Sequence, residues 1–190
     1  VLLLGVDSLL NNDRIKLYEN YNDMQRLLGE ENPDGFIPGE AAVAVLLAKP
    51  NGTEQTCITG VGYGMEQAVI DSDAVLKAEG LTAAIRKAVK DAGCRVCDTQ
   101  FIIAGVSGES YYFKEVSLAR TKALEQKVAS HPLWHPADSI GETGAAVGGA
   151  IILVGHFAFE NRRAPGTRAL CVVSNDDQAR GAFILERIGA

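Results

Sequence analysis

The chain of 190 residues is 47% hydrophobic and 22% charged, with a formal net charge of −6. That is apolar material enough for the core of one globular domain, and the acidic balance excludes a general nucleic-acid binder, which needs clustered Lys and Arg to displace counterions. The single basic run, "RRAPGTR" from Arg162 to Arg168, reads as a solvated loop, and the longest apolar run, Gly144 to Phe159, falls short of the roughly 20 residues that span a bilayer.

In chain order, Val1 to Val6 reads as a buried strand, followed by a polar, amide-rich segment with a short helix near "NDMQRLL" (22–28). No basic lead-in or small-residue cleavage site marks a signal peptide, and a start inside a core strand predicts a piece of a longer polypeptide. Pro33, Asp34 and Gly35 turn the chain into "GEAAVAVLLAKP", a second buried strand that Pro50 ends. "TCITGVGYGM" predicts a third strand. The clearest helix lies in "SDAVLKAEGLTAAIRKAVKDAG", with Leu81, Ile85, Ala88, Val89 and Ala92 on one face and Gly93 closing it. A short buried strand, "TQFIIAGV", precedes a second amphipathic helix, "FKEVSLARTKALEQKVAS", and "HPLWHP" forms a short extended piece. The helix from about Thr143 to Phe159 is apolar almost all round, so it belongs between layers. "RALCVVS" and "GAFILERI" are the last strands, joined by "NDDQAR". Strands alternating with helices and ending in a hairpin predict a layered α/β domain with a mixed sheet.

Three motifs carry candidate chemistry. "CRVC" (Cys94 to Cys97) has metal or redox spacing, but His131 and His135 in "HPLWH" are separated from it by a strand and a helix, so ordinary free thiols are read here and in Cys57 and Cys171, in a reducing, cytoplasmic setting. The glycines of "GVGYG" and "GETGAAVGG" lack both the Rossmann spacing and the P-loop Lys, and close backbone packing accounts for them; no cofactor and no metal is expected. "GVSGES" follows a strand and has the outline of G-x-S-x-G around Ser107, without evident triad partners.

Taken in order, several stretches resemble the β-ketoacyl-acyl carrier protein synthases of the thiolase superfamily. "DGFIPGEAAVAVLL" (Asp34 to Leu47) resembles the family's D-G-F-x-x-G-E-G-A-G strand, with "GVDSLL" as its hairpin partner. "GVGYGM" resembles the G-x-G-M strand end, "ARTKAL" the A-E-T-x-A-L helix, "GETGAAVGG" the G-H-x-x-G-A-A-G motif, and "SNDDQARGAFIL" stands where the family has S-N-x-F-G-F-G-G-T-N. The resemblance implies a thiolase-like α/β fold, five layers (αβαβα) in the full protein. Residues 1 to 50 would close the N-terminal half, and 54 to 190 would form the C-terminal half around a mixed five-stranded sheet covered by helices.

The same resemblance assigns the site. Family members condense an acyl thioester on a Cys that would lie upstream, and use two histidines of this half to stabilise the enolate left by decarboxylation. Gly105 in "AGVSG" stands at the first His position and Glu142 at the second; Ala137 stands where the family has a Lys, and Ser107 lies beside the first site. Asn175, Asp176 and Gly181 take the substrate-facing positions of the glycine-rich gate, here "NDDQARG". Losing one oxyanion donor costs about 10²- to 10³-fold in rate, and an ionised carboxylate in its place adds like-charge repulsion. Glu142 sits near the first turn of a buried helix, where free N–H groups and the helix dipole favour an anion. The implied protein is therefore a synthase relative without the His pair, non-condensing or acyl-binding. It would work with an acyl carrier protein or acyl thioester, as a homodimer or as the partner of a synthase. The alternative is an active acyltransferase using an upstream Cys with Glu142 or Ser107 assisting.

Overall fold

In the computed structural model, which describes residues 1–189, two sheets and their helices stack in layers. The first sheet is the antiparallel hairpin of β1 (Leu2–Ser8) and β2 (Glu40–Leu46), with Leu2 opposite Leu46 and Ser8 opposite Glu40. Both strands stand where the apolar patterning puts them, but they are not buried on both faces. Within the pair only Val43 is buried, while Leu2, Leu4 and Val6 are 58%, 63% and 70% exposed. The inner face is the tight one. A Cβ on Gly5 would lie 2.8 Å from the Ala145 carbonyl, and one on Gly149 would lie 2.6 Å from Val43.

The segment between these strands corrects the expected helix. The helix is α1 (Asn12–Glu19), opened by the Asn11 side chain accepting the Arg14 N–H at 3.0 Å. "NDMQRLL" is irregular because Asn22 and Asp23 sit at φ +48° and +63°, left-handed conformations that a helix cannot contain.

The second sheet has the order β3-β7-β6-β4-β5, formed by β3 (Gln55–Met65), β4 (Phe101–Ala104), β5 (Leu133–Trp134), β6 (Arg168–Ser174) and β7 (Ala179–Ile188). β4 runs parallel to both β5 and β6; β7 runs antiparallel to β6 and β3, so the sheet is mixed as expected. On one face lie α2 (Glu79–Asp91) and α3 (Ser110–Ala123), burying Leu81, Ile85, Ala88 and Val116 against Ile102, Leu170 and Ile184. α2 ends in a Schellman motif: Gly93, at φ +65°, donates to the Lys90 carbonyl and Cys94 to that of Val89. The other face carries α5 (Val147–Glu160), whose Ile151 and Phe159 pack on Phe101, Ile103, Cys171 and Leu185. α5 is covered in turn by the β1–β2 hairpin.

The glycines of β3 show why α2 lies so close. A Cβ on Gly60, Gly62 or Gly64 would come within 2.2, 1.9 and 2.0 Å of the carbonyls of Ala88, Ala84 and Gly80, so the helix backbone rests directly on the strand. "GVGYG" is a packing surface, as its lack of nucleotide spacing predicts. α3 stops before the expected end because Leu124 is extended and the Glu125 carboxylate receives the N–H groups of Val96 and Cys97, both at 3.3 Å. The short α4 (Ala137–Ile140) and a 3₁₀ turn at Gly144–Ala146 lead into α5. Among the described residues no helix is long and apolar enough to cross a membrane.

Candidate functional site

β4 and β6 are neighbouring parallel strands, and both end at the same cavity of about 450 Å³. Crevices beyond the carboxyl ends of parallel strands are where open α/β sheets bind ligands. The wall draws on Gly105 and Ser107 after β4, Ser174 to Asp177 after β6, Glu142 to Val147 at the mouth of α5, and Tyr18 to Phe36 from the segment between β1 and β2. Five of the six residues singled out in the sequence meet here: Gly105, Ser107, Glu142, Asn175 and Asp176. Gly181 does not; it lies within β7 opposite Val173 and Tyr63.

At Gly105 the strand ladder continues one step, its N–H donating to the Val172 carbonyl at 2.9 Å. A Cβ there would meet Val147 at 2.9 Å, Val173 at 3.4 Å and Ile151 at 3.6 Å. The first residue of α5, Val147, is the neighbour that crowds this position.

Glu142 is fixed by its backbone. Its N–H donates to the Ile37 carbonyl and its carbonyl accepts from Gly39, both at 2.8 Å. Its Oε1 accepts the Gly144 N–H at 2.8 Å, and Asp7 takes the next amide, Ala145, at 3.0 Å, so two carboxylates cap the entry to α5. Burial pushes the Glu142 carboxyl above the usual range, and Asp176 and Glu109 add to the rise; Ser107 and the Gly144 amide oppose it.

The rest of the wall is an ion network that no local motif announces. The Arg26 guanidinium, 3% exposed, grips both oxygens of Glu109 and donates from Nη2 to Asp176 at 3.0 Å. Tyr112 (2.6 Å) and Tyr18 (3.3 Å) donate to the same Asp176 carboxylate. Burial opposes ionisation of Asp176, but these donors more than offset it and hold its carboxyl below the usual range. Burial and the nearby Asp176 push the Tyr18 phenol up to about 12. The guanidinium carbon of Arg26 also lies 5.1–5.8 Å from the ring centres of Tyr18, Tyr21 and Phe36. Asp176, assigned a substrate-facing role by sequence, thus spends its oxygens joining three segments.

A second buried pair holds the β6–β7 connection. Arg180 and Glu115 are both fully buried at 2.7 Å, and Arg180 Nη1 donates to the carbonyls of Asn175, Asp177 and Ala179 at 2.6–3.0 Å. The turn is stapled from inside. Asp34, of the "DGF" stretch, reaches the start of α3, accepting from the Ser110 N–H and hydroxyl at 2.8 and 2.7 Å.

The three histidines lie elsewhere. His131 is neutral: Arg120 donates to its Nδ1 at 3.0 Å, its Nε2 is 2.9 Å from the Thr99 hydroxyl, and burial lowers its pKa to about 4 with help from Arg120. His135 Nδ1 lies 3.2 Å from the Asp138 carboxylate, and His156 meets the Thr56 hydroxyl at 3.0 Å. All four cysteines are free thiols, and burial pushes the pKa of each above the ordinary value. Among the described residues no group of three or more His, Cys, Asp or Glu side chains is arranged to hold a metal ion.

No family model and no curated protein matches the sequence. Solved structures match the fold. A type II polyketide synthase acyl carrier protein in complex with its ketosynthase, bound to the hexaketide, superposes with a TM-score of 0.79 at 14% identity, over 98% of this chain and 56% of the other. The ishigamide ketosynthase/chain length factor gives 0.78 at 17% identity over 99% and 54%. The oxazolomycin ketosynthase domain KS7 of Streptomyces albus JA3453 gives 0.77 at 15% identity over 98% and 41%. The chain spans about half the length of these structures. Its fold is the thiolase-like α/β fold of ketosynthase domains.

Proposed function

We propose that this chain is the C-terminal part of a ketosynthase-like protein that holds an acyl group in the cavity without the imidazole pair that serves decarboxylation. Residues 1–50 end one thiolase-like half in this reading, and 54–190 form the other. The supporting observation is Gly105: at the position where the resemblance expects the first histidine there is no side chain, and a Cβ would come 2.9 Å from Val147. At the second position stands Glu142, whose Oε1 accepts the Gly144 N–H, an acceptor where an enolate would require a donor. The acyl donor is an acyl thioester, free or on a carrier protein, and the partner is a second copy or an active synthase.

The test uses the full-length protein. A nonhydrolysable acyl thioether analogue is expected to raise its Tm in a concentration-dependent way, while malonyl-acyl carrier protein releases carbon dioxide no faster than in buffer. Release at an enzyme-like turnover, on the order of 1 s⁻¹ or more, overturns the non-condensing reading in favour of a working acyltransferase. Absence of any effect of the analogue on Tm removes acyl binding altogether.

A further inference from the structure

β4 ends at Ala104, Ser107 follows in the cavity wall, and α3 begins at Ser110, so "GVSGE", with Glu109 in place of the second Gly of G-x-S-x-G, occupies a strand–turn–helix corner. The corner is sharp: Gly108 sits at φ +132°, and a Cβ on it would come 2.7 Å from the Gly35 carbonyl. Strand-to-helix corners of this kind are where acyl-transfer enzymes present a nucleophilic serine. The N–H groups of Gly108 and Glu109 make no hydrogen bond among the described residues, whereas the next amide, Ser110, is taken by Asp34.

The same cavity wall holds Glu142, clamped at its backbone and with Oε1 occupied by Gly144, which leaves Oε2 for another partner. Ser107 is the side chain that favours its ionised form, although the two do not close a hydrogen bond of normal geometry. Catalytic contacts are often long before substrate binds. A half-buried carboxyl pushed upward by burial also makes a better base than an exposed one.

Resting on the acyl-thioester reading above, we infer that Ser107 is an acyl-accepting nucleophile with Glu142 as its general base, so that the cavity cleaves acyl thioesters. The Ser107 oxygen bonds to the thioester carbonyl carbon as its proton passes to the Glu142 carboxylate. The carbon–sulfur bond then breaks and the leaving thiolate takes that proton, giving an acyl-serine ester and a free thiol. Water adds to the ester with Glu142 again accepting the proton and returning it to the Ser107 oxygen, which releases a carboxylic acid. The amides of Gly108 and Glu109 are the unspent donors nearest to the developing oxyanion in sequence.

The experiment incubates the full-length protein with hexanoyl-N-acetylcysteamine, follows thiol release, and maps any adduct by peptide mass. An acyl group on Ser107 is expected, with thiol release falling at least about 100-fold in Ser107→Ala and about 100-fold in Glu142→Gln. The Glu142→Gln rate should also lose the acid limb of the pH profile while the Tm rise with the thioether analogue persists. A protein that binds the analogue yet carries the acyl group on a cysteine, or nowhere, overturns this inference and leaves acyl binding standing. A protein that fails to bind the analogue overturns both. Because the adduct is mapped on the unmodified protein, a misfolded variant does not blunt the result.

Discussion

The contact of α2 with β3 and the cavity wall around Arg26 are built on opposite principles. The first is made by removing side chains: three glycines let a helix backbone lie against a strand, with Ala84 and Ala88 as the facing residues. It is apolar, local in sequence, and held by shape. The second is made by adding charge: an arginine, two carboxylates and two phenols from positions 18, 26, 109, 112 and 176 converge in the cavity wall. Shape alone specifies the first contact, while the second is only as good as its completeness, since each member leaves a buried orphan if its partner is lost.

Breaking the charged region is expected to cost most. Arg26→Met leaves Glu109 buried without its cation, so unfolding free energy should drop by about 3–5 kcal/mol in a urea titration of the full-length protein. Arg26→Met with Glu109→Leu should recover much of that loss, whereas a double variant no better than the single one would show that the pair is not what holds this wall. The packed region comes next. Gly62→Ala sets a methyl 1.9 Å from the Ala84 carbonyl and should cost about 3 kcal/mol, the upper end of overpacking effects. An unchanged midpoint would mean that α2 moves freely on β3.

The smallest effect sharpens the comparison with a polar group that is satisfied but uncharged. His131 has a folded pKa of about 4 against an ordinary 6.5, so between those values the unfolded chain binds a proton that the folded chain refuses. Its contribution is present above pH 6.5 and is lost as pH falls toward 4. Tm should therefore decline more steeply over that window in the wild type than in His131→Gln, and parallel slopes would show that the ring does not stay neutral when folded.

Much of the fold was legible because its signals are local. The spacing of Leu81, Ile85, Ala88 and Val89, the closing Gly93 and the strand "RALCVVS" all act within one element, and each stands where it was read. The misplaced α1 shows the limit: Asn22 and Asp23 take left-handed conformations that their sequence permits but does not demand. β1 and β2 were found as strands yet misread as buried, since an apolar strand reads alike whether one face or both are covered. Of the residues lining the cavity, Gly105, Ser107, Glu142, Asn175 and Asp176 had been singled out in the sequence, through the ordered family-like motifs and "GVSGES". Arg26, Glu109 and Tyr112 were missed, since Arg26 lies in a polar stretch with no motif, Glu109 was read only within "GVSGES", and Tyr112 precedes the helix predicted from Phe113. An acid near a tyrosine, with an arginine 83 residues earlier, leaves no periodic trace.

The sequence by itself determined the alternation of elements and the close packing of the "GVGYG" glycines, because periodicity and turn chemistry act between residues a few places apart; Gly105 and Glu142 were singled out only through the resemblance. Only the tertiary structure decided that Asp176 is consumed by Arg26, Tyr18 and Tyr112, that Val147 fills the space beside Gly105, and that Ser107 shares a cavity wall with Glu142. Those facts depend on which distant segments meet, and desolvation and charge pairing take effect only once they do.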